Sequence, residues 1–408
     1  MTTSAVAMPE PVVDTTYGRV RGASHPSGYM FRGIPYAAPP TGELRFRPPS
    51  PPQPWATIRD CSRDGPACPQ PAPSTIPAVQ RLVRLPVSQD EDCLHLNVWT
   101  PVLGDEPRPV MVWIHGGAFR TGSGSNWPAQ TGTFSRDGVL LVTINYRLHA
   151  FGHLYLDELF ENAAGSGNAG LLDQLAALGW IHDNIAAFGG DPDNVTVFGS
   201  SAGASSIATL MGVPDARGLF RRAITMSAAG PCTTDPATAT KVSEAFLAAV
   251  GVRPGDSAAL ASIPVERVVA AVSRPLIWPR PATDRALLDF LPVCDGRILS
   301  DTPWRTLEQN GSPNVDLLVG TTAEEWRIVH FGAPGQFPPP DIGAISHLAG
   351  AASEAQFLDV YRRRNAEGID DSYAAVDTDL LFTIPAVRLA EAHLRNTSRV
   401  WMYRFCWP

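Results

Sequence analysis

The sequence of 408 residues predicts an α/β fold with a mostly parallel central sheet that helices cover on both faces. Short apolar runs rich in β-branched residues alternate with segments of helical periodicity, which is typical of a sheet buried on both sides. No internal repeat is visible, and no linker rich in glycine, serine or charge divides the chain. We therefore expect one domain over residues 1–408.

The predicted elements alternate along the chain, as parallel strands joined by crossover helices require. The strands are predicted over residues 110–114, 139–144, 195–198, 223–226, 315–319 and 400–405. The helices are predicted over residues 171–185, 204–211, parts of 240–273 and 385–394. The helix over 171–185 has the clearest pattern, since apolar residues recur on one face until Gly189 and Gly190 end it.

Composition narrows the classes of function. Hydrophobic residues make up 44% and charged residues 18%, an ordinary globular balance, and the net charge of -8 disfavours nucleic acid or an anionic membrane as a partner. The opening residues lack the basic start and apolar core of a secretory signal, so we expect a cytoplasmic protein. Lys241 is the only lysine, which argues against Ser-x-x-Lys hydrolases and P-loop phosphate sites.

A G-x-S-x-G motif, Gly199–Gly203, lies between a predicted strand and a predicted helix. A nucleophilic serine on such a turn adopts a strained backbone conformation, so the residues two before and two after it must be small. The helix behind the turn also points its positive N-terminal end at the hydroxyl. We predict that Ser201 is a nucleophile, although the motif alone is also found in plain turns.

A second glycine-rich loop, residues 115–118, directly follows the predicted strand 110–114. Its backbone N–H groups, with the one after the nucleophile, are expected to stabilise an oxyanion, and the candidates are Gly116, Gly117 and Ala202. The alternative is a glycine turn with no partner. We expect His115 to hold this loop by hydrogen bonding and not to act as a base.

An acidic residue is expected after a late strand, and Glu324 and Glu325 follow the predicted strand 315–319. Serine hydrolases of this motif order their triad as serine, acid and histidine along the chain. Spacing alone leaves the choice between the two glutamates open. Four of the histidines that precede Ser201 are interpreted as structural for the same reason of order: His95, His149, His153 and His182.

Several blocks resemble the type-B carboxylesterase family, which includes bacterial para-nitrobenzyl esterases and the cholinesterases. They are GRVRG, FRGIPYAAPPTGELRFRPP, EDCLHLNVWTP, WIHGGAF, NYRL, GNAGLLDQLAALGWIHDNIAAFGGDPDNVTVFGSSAGA, LFRRAITMSA, VCDGRIL and VGTTAEEW. The resemblance covers nearly the whole length and implies an α/β-hydrolase fold, with no metal or cofactor. It implies Ser201 as nucleophile, Gly116, Gly117 and Ala202 as oxyanion donors, and Glu325 as the acid.

Two features beside the site bear on the substrate. Relatives usually carry a glutamate where this chain has Ser200, and the segment between Cys68 and Cys93 holds no tryptophan to stack a cation. We therefore expect neutral small-molecule esters as substrates and not choline esters. Cys68 and Cys93 match a disulfide of secreted relatives, and in a cytoplasmic protein we expect them to be thiols.

The catalytic histidine of relatives comes after the strand predicted over 400–405, where this chain has only Cys406, Trp407 and Pro408. We do not expect His330, His347 or His393 to replace it. The interpretation is a family member incomplete at its C-terminus, and the 408-residue chain as it stands is expected to be nearly inactive. The alternative is a non-catalytic binding or interaction protein, against which the retained serine argues. Acyl and alcohol preference and oligomeric state stay open.

Overall fold

The computed structural model describes residues 10–72, 88–104, 106–125, 132–228, 230, 232–273, 276, 288–312, 314–332, 341–348, 353–364 and 369–407. The strands in these ranges are β1 (Val12–Thr15), β2 (Gly18–Arg21), β3 (Ala23–His25), β4 (Gly28–Pro35), β5 (Arg59–Asp60), β6 (His95–Thr100), β7 (Arg108–Ile114), β8 (Leu140–Ile144), β9 (Gly190–Ser200), β10 (Arg222–Met226), β11 (Asp316–Thr322) and β12 (Val400–Phe405).

The α-helices in the same ranges are α1 (Thr133–Arg136), α2 (His149–His153), α3 (Ala169–Asn184), α4 (Ala202–Leu210), α5 (Pro236–Val250), α6 (Ser257–Ala261), α7 (Val265–Val272), α8 (Pro303–Asn310), α9 (Arg327–Gly332), α10 (Ile342–Leu348), α11 (Glu354–Arg364), α12 (Ile369–Thr378) and α13 (Ile384–Leu394). A π-helical turn, Asp379–Thr383, joins α12 to α13. No helix in the described ranges has the length and apolar character that crossing a membrane requires.

Nine of the described strands form one sheet in the order β12-β11-β10-β9-β7-β8-β6-β4-β3. Neighbours from β12 to β8 are parallel, whereas β8–β6, β6–β4 and β4–β3 are antiparallel. Because parallel strands share a direction, β9, β10, β11 and β12 all end at the same edge. The predicted α/β fold with a mostly parallel sheet is confirmed.

The sheet is buried on both faces, and β7 shows how. Val110, Val112 and Ile114 point to one face and join the larger hydrophobic core. Trp113 points to the other face and packs on Phe198 of β9, with ring centroids 5.0 Å apart. This alternation follows from the two-residue period of a strand, and residues 110–114 read as continuously apolar because both faces of this stretch are buried.

The structure extends several predicted elements and adds others. β9 begins at Gly190, five residues before its prediction, because the chain pairs with Arg108 of β7 there. The predicted strand at 400–405 matches β12. Sequence analysis did not predict the antiparallel strands β1 to β4 and β6, whose hairpins need pairing partners that are distant or weakly patterned.

Candidate active site

Ser201 lies on a sharp turn between β9 and α4. Its φ of 55° and ψ of −125° fall in a backbone region that non-glycine residues rarely adopt. Backbone hydrogen bonds hold the turn, since Ser201 N–H donates to Met226 O of β10 (2.9 Å) and Ser201 O accepts from Ser205 N–H (2.9 Å). Ser201 is partly exposed, whereas Ala202 behind it is buried. This conformation is the one expected of a nucleophile elbow.

Close backbone contacts explain the glycines of the turn. A Cβ atom built on Gly199 would lie 2.8 Å from both Gly203 C and Ile114 O, and one built on Gly203 would overlap Ile114 O. The helix α4 therefore approaches the end of β7 more closely than any side chain allows. These contacts fix the direction in which the turn presents residue 201.

The loop after β7 packs directly against the elbow. A Cβ atom on Gly116 would lie 2.5 Å from Ser200 O and 3.2 Å from Ser201 Cβ, so residue 116 must be glycine for the two turns to meet. Gly117 faces its own loop, where its carbonyl accepts from Arg120 N–H (3.0 Å) and Thr121 N–H (2.9 Å). The structure thus brings Gly116 and Ala202 to Ser201, with Gly117 next in the loop.

Ala118, which sequence analysis did not name, has a left-handed backbone conformation. Ala118 has a φ of 58°, directly after Gly117 with a φ of 116°. Within the described ranges, no acceptor is found for the N–H groups of Gly116, Gly117, Ala118 and Ala202. Successive N–H groups in such a turn form a concave anion site. A positive φ is not visible in the sequence, because alanine does not indicate it.

His115 takes part in hydrogen bonds that hold the loop at residues 115–118, as predicted. Its Nδ1 lies 2.8 Å from Gly116 O, its ring stacks on Tyr146 at 4.3 Å, and Tyr146 Oη donates to His115 O (2.7 Å). Burial lowers the pKa of His115 to about 4, which keeps the ring neutral, and a neutral ring can donate from Nδ1 to that carbonyl.

Glu325 lies just beyond β11 at the same edge of the sheet. Its Oε1 accepts from Thr322 N–H (2.6 Å), which ties the carboxylate to the end of its strand. Glu324 instead points to Arg327 in an exposed ion pair of 2.8 Å. Burial, and after it the charge of Glu325, raise the pKa of Tyr403 on β12, the strand that pairs with β11.

Ser201 and Glu325 are separated by one strand, because β10 lies between β9 and β11. Two strand spacings of about 4.8 Å put the two strand ends roughly 10 Å apart, too far for a direct hydrogen bond. A third group that accepts from serine and donates to the carboxylate would span this distance. Ala323 N–H donates to Phe405 O (2.8 Å), so the chain leaves β12 beside the acid loop.

The described histidine rings do not occupy that gap. His393 is buried with Nε2 2.8 Å from Val315 O, at the opposite edge of the sheet where β11 begins. His149 and His153 bond to Pro69 O and Gly167 O. His95 lies at the start of β6, and His182 is exposed on α3. The side chains of His330 and His347 lie outside the described part of the structure.

Other polar clusters do not add to the site. In the described ranges, no group of three or more His, Cys, Asp or Glu side chains is placed to share a metal ion. The described cysteines are thiols, and that of Cys68 accepts from Leu148 N–H (3.4 Å). A cavity of about 620 Å³ lies near Leu210, Phe220 and Val315, at the edge of the sheet opposite Ser201.

A strained serine between a strand and a helix, packed against a glycine loop at the end of a neighbouring strand, is typical of serine hydrolases with the α/β-hydrolase fold. The family model described as "Carboxylesterase family" matches residues 9–407. The chain therefore belongs to the carboxylesterase family. This membership makes it an esterase by class and disfavours the non-catalytic alternative.

Three relatives show the extent of the similarity. The para-nitrobenzyl esterase of Bacillus subtilis (strain 168) is 39% identical over 98% of this chain and 79% of its own length. The phenmedipham hydrolase of Pseudarthrobacter oxydans is 40% identical over 77% of this chain and 62% of its own length, less than two thirds. The crystal structure of the Geobacillus stearothermophilus carboxylesterase EST55 at pH 6.2 superposes with a TM-score of 0.85 and 36% identity, over 97% of this chain and 80% of that one.

Proposed function

We propose that this site hydrolyses small neutral carboxylic esters through an acyl-enzyme on Ser201. The observation that carries the proposal is the strained Ser201 turn packed against Gly116, beside N–H groups without acceptors in the described ranges. Attack by Ser201 Oγ on the ester carbonyl moves negative charge onto the carbonyl oxygen. The N–H groups of Gly116, Gly117 and Ala202, joined by Ala118, stabilise that oxygen by about 3 kcal/mol each.

Proton transfer needs a base between Ser201 and Glu325. We propose that a histidine placed on polypeptide attached after β12 would supply this base, since β12 ends beside the Glu325 loop. It takes the proton of Ser201 and passes it to the leaving alcohol, and water then releases the acid by the reverse sequence. Glu325 Oε1 is held by Thr322, and its second oxygen is the one that would orient the imidazole.

The neutral substrate class follows from the residue beside the nucleophile. Ser200 places an uncharged side chain there, so a cationic alcohol group gains no carboxylate partner from this position.

We also propose that the protein acts in the cytoplasm, which agrees with the thiol state of the described cysteines. Fractionation of cells that express the natural gene would test the location.

The central test uses para-nitrophenyl acetate and two polypeptides. One is the 408-residue chain, and the other carries beyond Pro408 the C-terminal segment of the Bacillus subtilis relative, called the extended chain below. We expect turnover in the extended chain, a loss of about a millionfold on Ser201→Ala, and activity near background in the 408-residue chain.

A fluorophosphonate probe gives an independent result. We expect it to label Ser201 in the extended chain and not in the 408-residue chain, because without a base the hydroxyl stays neutral. Equal, Ser201-dependent turnover or labelling in both polypeptides would contradict the proposed base. Absence of any Ser201-dependent turnover in a folded extended chain would contradict the esterase proposal itself.

A further inference from the structure

The segment from Thr378 to Pro385 contacts two neighbouring loops, one of which carries the proposed acid. It comprises the end of α12, the π-helical turn Asp379–Thr383 and the start of α13. One of its contacts is with the loop after β11, which carries Glu325, and the other is with the loop after β10. These two loops lie side by side at the edge of the sheet where Ser201 also lies.

The first contact is with the residue next to the acid. Thr378 is 2% exposed, and its Oγ1 accepts from Trp326 N–H at 3.1 Å. The ring of Phe382 packs on the ring of Trp326 with centroids 6.1 Å apart and an interplanar angle of 38°. Trp326 is therefore held through its backbone and through its side chain, one residue after Glu325.

The second contact fixes the same segment to the loop after β10. Leu381 O accepts from Gly230 N–H at 2.7 Å. A Cβ atom on Gly230 would lie 2.7 Å from Cγ of Pro385, so the absence of a side chain at residue 230 allows this approach. The loop after β10 is thereby attached to the segment that also holds Trp326.

The π-helical turn lies in the middle of these contacts. In a regular α-helix, residues 378 and 382 are one turn apart and face the same side. A π turn adds a residue to the helical turn, and such turns are frequent at functional sites. Here the turn presents the Leu381 carbonyl to Gly230, while Thr378 and Phe382 both reach Trp326.

We propose that Thr378 and Phe382 are positioning residues that set the placement of Glu325 through Trp326. The inference rests on the proposed role of Glu325 as the catalytic acid. Glu325 Oε1 is bonded to Thr322 N–H only three residues back, a short loop that does not by itself fix the direction of the chain after Glu325. Thr378 and Phe382 supply that constraint from a helix more than 50 residues further along the chain.

Hydrogen–deuterium exchange of the 408-residue chain tests the placement without any need for activity. Thr378→Val keeps the shape and removes the acceptor, so we expect the amides of Trp326 and Thr322 to exchange roughly tenfold faster. Thr378→Ser restores the acceptor and should exchange like the parent. Phe382→Leu, which keeps the apolar burial, serves as a second variant and should also accelerate the Trp326 amide.

The matched control is Thr306→Val on α8, which also removes a buried hydroxyl that makes a hydrogen bond, from Oγ1 to Asp301 O (3.0 Å). We expect it to leave exchange at residues 320–327 unchanged. If Thr378→Val and Phe382→Leu leave the Thr322 and Trp326 amides unaffected, or Thr306→Val accelerates them equally, the positioning role is wrong.

Turnover of the extended chain separates this inference from the proposed function. We expect Thr378→Val to lower kcat about tenfold with KM within about twofold, and Thr378→Ser to recover most of it. Unchanged kcat in Thr378→Val overturns the positioning role even where exchange responds. If Glu325→Gln keeps full turnover, the proposed acid is wrong, and exchange at Thr322 still reports whether the segment holds the loop.

Discussion

The nucleophile and the acid occupy the same edge of one sheet, yet the chain holds them in different ways. Around Ser201 the constraints are backbone on backbone, since side chains on Gly199, Gly203 or Gly116 would collide with carbonyl groups of neighbouring strands and turns. Around Glu325 the constraints come from side chains of a distant helix, Thr378 and Phe382.

The difference has a consequence for tolerance to mutation. Backbone collisions cannot be relieved by rotating a side chain. Replacing a single glycine of the nucleophile turn should therefore strongly destabilise the turn. A side-chain contact can be weakened in steps. Variants of the acid loop should therefore lose the accurate placement of the Glu325 carboxylate before the loop loses its fold. Each prediction below tests one side of this contrast.

The largest effect is expected at the acid itself. In the extended chain, Glu325→Gln should lower kcat about ten-thousandfold, because a neutral amide does not stabilise the imidazolium formed during proton transfer. The matched variant Glu324→Gln removes only an exposed ion pair with Arg327 and should stay within about twofold. Steady-state turnover of para-nitrophenyl acetate measures both, and the reverse ranking of the two variants would reassign the acid.

A smaller effect, now on stability, is expected at the elbow. Gly203→Ala should lower the free energy of unfolding by about 3 kcal/mol, because its Cβ would overlap Ile114 O. Gly179→Ala in α3 is the control, since its Cβ meets nothing within 4 Å, and there we expect a gain of about 0.5–1 kcal/mol. Urea unfolding measures both, and equal stability of the two variants would refute the backbone argument.

The same contrast explains what the sequence could predict. The elbow and the loop at 115–118 are local, because each is a strand, a turn of fixed glycine spacing and the chain that follows, and both were predicted. The parallel part of the sheet was predicted because β7, β8 and β9 to β12 are apolar runs separated by helices. These features are encoded within about ten residues of one another.

What escaped prediction depends on partners that are remote in sequence or on backbone angles. Thr378 and Phe382 are ordinary residues of a helical pattern until the fold places them on Trp326. Ala118 gives no sign of its positive φ. The choice between Glu324 and Glu325 needed family resemblance, since which carboxylate turns back to Thr322 is decided by the loop and not by composition.

The smallest effect concerns the histidine behind the oxyanion loop, and it appears as a pH dependence. Burial lowers the pKa of His115 to about 4, while the unfolded chain titrates near 6.5, so the unfolded state binds more protons between these values and stability falls as pH drops through them. His149 and His153 add to the same trend, with pKa values lowered by burial to about 4 and about 3.

His115→Asn places an amide nitrogen where Nδ1 donates to Gly116 O and removes the titration, so the loss of unfolding free energy from pH 7 to pH 5 should shrink by about 2 kcal/mol. Urea unfolding at the two pH values measures this, with His182→Asn on the exposed face of α3 as the control expected to match the parent. An identical pH dependence in His115→Asn and the parent would mean that folding does not lower the pKa of His115, and its buried, neutral state behind the loop would be wrong.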